Sequence, residues 1–93
     1  MTLKQQFFDA VTRVKERQQQ GFRIYADWYE SGQRVPTFTV QIHSVQLVER
    51  KDGWHLIGFD RHGKEYCLGN AVISSTTVSS SSLELYRPEN LKK

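Results

Sequence analysis

Three clusters along this chain set cations beside rings: Arg23 with Tyr25, then Arg50, Lys51, Trp54 and His55, then Arg61, His62 and Lys64. These residue types suit single-stranded nucleic acid, because bases stack on aromatic faces while Lys and Arg follow the phosphates. Glu49, Asp52 and Asp60 stand among the same cations and offset part of that attraction. Bond-making chemistry has less to build on. His55, His62 and Cys67 do not fall at a zinc spacing such as Cys-x-x-Cys with His-x-x-x-His. No Gly-x-Ser-x-Gly elbow and no Gly-x-x-x-x-Gly-Lys-Ser/Thr phosphate loop is present. Cys67, without a readable base beside it, is expected to be a small buried hydrophobe rather than a nucleophile. The chain is therefore expected to be no enzyme, with no catalytic residue, no metal site and no cofactor.

The elements that must position those clusters form one domain over residues 1–88, with a frayed tail at 89–93. Thr2 with Gln5 three residues on has the form of a capping box. Leu3, Phe7, Val11 and Val14, widened by Phe8 and Ala10, make a helical stripe that Gly21 ends. From Phe22 the period becomes two, with Ile24, Ala26 and Trp28 on one side and Arg23, Tyr25, Asp27 and Tyr29 on the other. Phe38, Val40 and Ile42 then alternate on even positions, but Val45 and Leu47 on odd ones. A strand that keeps one face buried through such a shift needs a bulge or bend near His43 and Ser44.

Asp52-Gly53 predicts a tight hairpin, Trp54 to Phe59 the returning strand, and DRHG at 60–63 the next turn. Lys64 to Leu68 and Ala71 to Ile73 are the remaining strands. In the Ser-rich stretch 74–82, the first half suits a short strand and the second a connector, and Leu83, Leu85 and Tyr86 offer a last docking segment. The expected fold is α+β, an N-terminal helix capping a strongly bent five-stranded antiparallel sheet, curled as a small barrel.

This order of elements is similar to the Sm and Sm-like (Hfq-like) family, which shares the SH3-like small barrel. Residues 67–73, CLGNAVI, resemble its second motif: Gly69, Asn70 and Val72 fit, while Leu68 stands where that motif carries an arginine. The resemblance implies a nucleobase-contacting turn at Gly69 and Asn70, but the contact made by the arginine has no counterpart at Leu68. WHLIGFD at 54–60 also resembles the core of WYL domains, ligand- or nucleic-acid-sensing modules on the same kind of barrel, with His55 in place of a tyrosine. Small barrels of this kind also serve as protein-binding modules and inhibitors.

Thirteen basic residues against ten acidic ones give a net charge of +3, which permits nucleic acid or an acidic partner without requiring either. At 93 residues the domain buries only about two-thirds of its unfolded surface, so a homo-oligomer is also permitted. A single cysteine makes no internal disulfide, and no apolar run approaches the ~20 residues of a membrane span, so a cytoplasmic protein without membrane contact is expected. The expected function is non-enzymatic regulation through single-stranded nucleic acid, RNA before DNA, at Arg23, Tyr25, Arg50, Lys51, Trp54, His55, Gly69 and Asn70. The alternatives are a protein-interaction module without nucleic acid and a small-molecule sensor.

Overall fold

In the computed structural model, described over residues 2–76 and 82–89, one helix precedes seven strands in two antiparallel sheets. The helix α1 (Leu3–Gln19) begins where the Thr2 hydroxyl accepts the Gln5 N–H at 3.2 Å. It ends as a Schellman motif: Gly21 N–H donates to the Gln18 carbonyl, Phe22 N–H to the Arg17 carbonyl, and Gly21 takes a φ of 90° that a side chain would resist. The Arg17 guanidinium lies 4.3 Å from the Phe22 ring centroid and so closes the motif with a side-chain contact. Phe7, Ala10, Val11 and Val14 are the buried face. Leu3 and Phe8, expected on that stripe, are instead 54% and 55% exposed.

The strands are β1 (Arg23–Trp28), β2 (Phe38–Ile42), β3 (Ser44–Arg50), β4 (Gly53–Phe59), β5 (Glu65–Cys67), β6 (Val72–Thr76) and β7 (Leu83–Tyr86). They form a four-stranded sheet in the order β2-β1-β6-β7 and a three-stranded sheet in the order β3-β4-β5. The expected single five-stranded sheet is thus replaced by seven strands in two sheets that do not close into a barrel. Two causes account for the count. The long strand divides at His43, and Leu83–Tyr86 adds a strand on β6.

The division follows from burial. Ile42 and Val45 are both buried, and positions three apart cannot face the same way along a flat strand. His43 absorbs the difference outside both strands. Its N–H donates to the Phe59 carbonyl at 2.7 Å, and its carbonyl accepts the Gln18 side-chain amide at 2.8 Å, so the bend leaves neither backbone group unpaired. The helix then packs on β1 and β7 of one sheet and on β3 and β4 of the other.

The core gathers Phe7, Val14, Ile24, Ile42, Leu56, Leu68 and Ile73 among its members. Leu68 is 0% exposed, and a Cβ built on Gly58 would stand 2.5 Å from its Cδ1 and 3.3 Å from Ile42 Cδ1. Gly58 is thus the recess that receives Leu68. The position at which an Sm-like motif carries arginine is therefore core. Of the Ser-rich stretch, Ser74–Thr76 is strand; residues 77–81, the bulk of the expected connector, and 90–93 of the expected tail lie outside the described residues. Among the described residues, no helix is long and apolar enough to cross a membrane.

Gly58→Ala is expected to cost about 1–3 kcal/mol by overpacking, and Leu68→Ala about 2–5 kcal/mol by leaving a cavity. The double variant should cost less than their sum, because the methyl added at position 58 fills part of the space vacated at position 68. Leu68→Arg should exceed either single change, since it buries an unpaired charge. Chemical denaturation of the four proteins checks this, and strict additivity of the first two would show that Gly58 and Leu68 do not share the space.

Candidate nucleic-acid interface

The β3–β4 hairpin closes with Arg50 opposite Gly53, leaving Lys51 and Asp52 as the loop. Of these residues only Gly53 has a positive φ, 120°, so glycine alone supplies the left-handed geometry. The Asp52 Oδ1 lies 2.7 Å from His55 Nε2, and this hydrogen bond, more than the charge of His55 or Arg50, holds the Asp52 carboxyl below its ordinary value. Trp54 stands opposite Glu49 on the core-facing side of β4 and packs against the edge of the core. Lys4, from the first turn of the helix, sets its Nζ 4.6 Å from the Trp54 ring centroid.

The facing wall is the turn after β5. Leu68 N–H donates to the Leu56 carbonyl and Ala71 N–H to the Leu68 carbonyl, which carries the chain sharply from one sheet to the other. Gly69 is packed here: its carbonyl accepts the Tyr86 hydroxyl at 3.0 Å, and a Cβ would meet Phe7 Cζ at 3.3 Å. Phe7 itself packs edge-on to Tyr86, with ring centroids 5.9 Å apart. Asn70 is exposed beyond it.

Hairpin, turn and helix start enclose a groove of about 380 Å³, lined by Leu3, Phe7 and Leu56 together with Asp52, Trp54, His55, Cys67, Gly69 and Asn70. Four expected site residues, Trp54, His55, Gly69 and Asn70, thus meet in one place. Cys67 also lines it and is exposed, contrary to the expectation of burial, because it lies on an edge strand.

The other expected residues lie elsewhere. Arg23 and Tyr25 alternate with the buried Ile24 and Ala26, so they project from the outer face of the four-stranded sheet and do not line the groove. Arg50 is engaged by Glu65 at 3.2 Å, a link from β3 to β5 across the face of β4 that carries Ile57, itself only 1% exposed. Lys51 is exposed at the hairpin tip. Among the described residues, no three His, Cys, Asp or Glu side chains group as metal ligands would. The groove therefore offers part of a tryptophan ring, a histidine and an amide, with Lys4 beside the ring.

The chain matches no protein-family model, no curated protein and no solved structure.

A second cluster, not singled out in the sequence, joins the two sheets. Trp28 and Phe38 come together at 5.5 Å between ring centroids, and Tyr66 of β5 lies 6.0 and 6.4 Å from them. Lys64 sets its Nζ 5.4 Å from the Tyr66 ring. The Tyr66 hydroxyl donates to Asp60 at 3.1 Å, and burial followed by this bond to an anion pushes the Tyr66 pKa up. Alternation along β1 and β2 marks Trp28 and Phe38 as facing inward, but nothing in sequence brings Tyr66 to them from the other sheet.

A carboxyl held below its ordinary value of 3.8 favours the folded state above that pH and loses its contribution as pH falls through the lowered value. Carbon-detected NMR titration should accordingly place the Asp52 midpoint below 3.8, and His55→Ala, which removes the ring that bonds the carboxylate, should move it back toward 3.8. An unchanged midpoint in that variant would show that His55 does not hold the carboxylate.

Proposed function

We propose that this protein is a non-enzymatic binder of single-stranded nucleic acid, built on an opened relative of the Sm or SH3-like small barrel. The order β6-β1-β2, continued through His43 into β3-β4-β5, supports the barrel reading, since the β2–β3 segment belongs to both sheets. The observation that carries the function is the groove, in which Trp54 and His55 from the hairpin meet Asn70 from the following turn beside Lys4. A ring edged by hydrogen-bonding side chains and a cation on a long stem suits one splayed base and its phosphate. RNA is the preferred form on the resemblance of residues 67–73. Sequence discrimination is weak in this reading, because Leu68 is core and contributes no arginine to the groove.

A protein-interaction module is the second reading, and one observation favours it: Phe38 is 49% exposed and lies against Trp28 and Tyr66. Solitary exposed apolar residues are ordinary, whereas a contiguous group suits a partner surface.

Fluorescence anisotropy with a labelled single-stranded RNA separates the two. Binding should weaken as salt rises, with a log–log slope of about −0.7 for each phosphate contacted. Trp54→Ala should cost about 1–3 kcal/mol of binding, and Arg23→Ala, on the outer sheet face, should leave affinity unchanged. No binding at low salt would overturn the nucleic-acid reading in favour of the second.

A further inference from the structure

The β4–β5 turn and the free edge of β2 border a cleft of about 410 Å³, apart from the groove and lined by Val40, Gln41, His43, Asp60, Arg61 and His62. Its volume is in the range of sites that hold small ligands. Its hydrogen-bonding groups are unevenly used. The Asp60 carboxylate is engaged at both oxygens: Oδ1 accepts the N–H groups of His62 at 2.8 Å and Lys64 at 3.0 Å, and Oδ2 accepts the Tyr66 hydroxyl. Burial raises the Asp60 pKa, but these three donors outweigh it and keep the group an anion anchored within the turn.

The donors are less engaged. Arg61 commits only its Nε, to His62 Nε2 at 3.3 Å. Among the described residues, its two terminal nitrogens, the Gln41 amide and the His43 ring make no hydrogen bond. A guanidinium fork with unused N–H groups matches the oxygens of a phosphate. The aromatic cluster is tied to residues of this cleft: Phe38 lies two residues before Val40 on the same strand face, and Tyr66 is bonded to Asp60. A half-exposed ring on the strand that borders the cleft, with an anion-matching fork in the cleft, matches the base and phosphate of a nucleotide.

We propose that this cleft binds the phosphate of a nucleotide through Arg61, Gln41 and His43, with the base stacked on Phe38. The site is independent of the groove and does not require it. The nucleotide comes either free or as part of a strand, and both offer the same phosphate and base.

The test is amide NMR titration of the whole chain with AMP, with adenosine, and with a single-stranded adenine oligonucleotide lacking terminal phosphates. AMP is expected to shift the amides of Phe38, His43, Arg61 and His62, and adenosine to bind roughly tenfold or more weakly, the loss associated with a charged hydrogen bond. Arg61→Gln, an exposed change in a turn, should weaken AMP by a similar factor, and Trp54→Ala should leave it unaltered. If the oligonucleotide shifts the same amides, and does so only with Arg61 intact, a strand is a source of the phosphate; if only AMP does, the ligand is the free nucleotide. Equal binding of AMP and adenosine, indifference to Arg61→Gln, or no shift at these amides with any of the three would overturn the proposal. Loss of RNA affinity in Trp54→Ala with AMP binding intact would separate the fate of this cleft from that of the groove.

Discussion

Everything in this fold turns on the need to bury Ile42 and Val45 on one side of a chain that is extended through both. An extended backbone sends successive side chains to opposite faces, so two residues three apart share a face only if the backbone changes direction between them. His43 makes that change. It hands the chain from the four-stranded sheet to the three-stranded one, and its two backbone groups are held by Phe59 and by Gln18 of the helix. The helix lies over strands of both sheets because the bend has brought them to it. The seam the bend leaves open, between β2 and the β4–β5 turn, is where the polar cleft lies.

The second constraint is the fit of Leu68 into the space above Gly58. It fixes where the chain leaves β5, and with it the position of Gly69 against Phe7 and Tyr86. Because these residues are held by packing, the turn that forms the wall of the groove is fixed in its backbone and presents only Asn70 as an exposed side chain. The turn at 68–71 is held by packing, with the buried Leu68 at its start.

Charge is distributed in a way that limits long-range attraction. Among the described residues several cations already have partners: Arg50 is paired with Glu65, Arg87 with Glu84, and Arg17 lies on Phe22. Exposed pairs of this kind contribute little stability, about 0–1 kcal/mol each, but they do engage cations that a polyanion would otherwise meet. Cations engaged in this way steer a distant polyanion less than a cluster of unpaired ones would.

Local patterns in the sequence determined the helix between its Thr2 cap and Gly21 stop, the hairpin turn within 51–53, and the place of the bend, because each depends on residues within a few positions of one another. The sequence also marked Trp54, His55, Gly69 and Asn70, without showing that they share a groove. Tertiary structure alone decided three matters. It separated Arg23 and Tyr25 from that groove, since the outer face of one sheet and the helix-capped edge of the other are set by how the sheets fold over each other. It exposed Cys67, because edge position depends on which strands find partners. It joined Trp28 and Phe38 to Tyr66, residues far apart in the chain, and so built an aromatic cluster bonded to Asp60. Periodicity fixes which side of its own strand a residue faces; which other strand lies opposite is settled only when the hydrophobic faces of both sheets pack together.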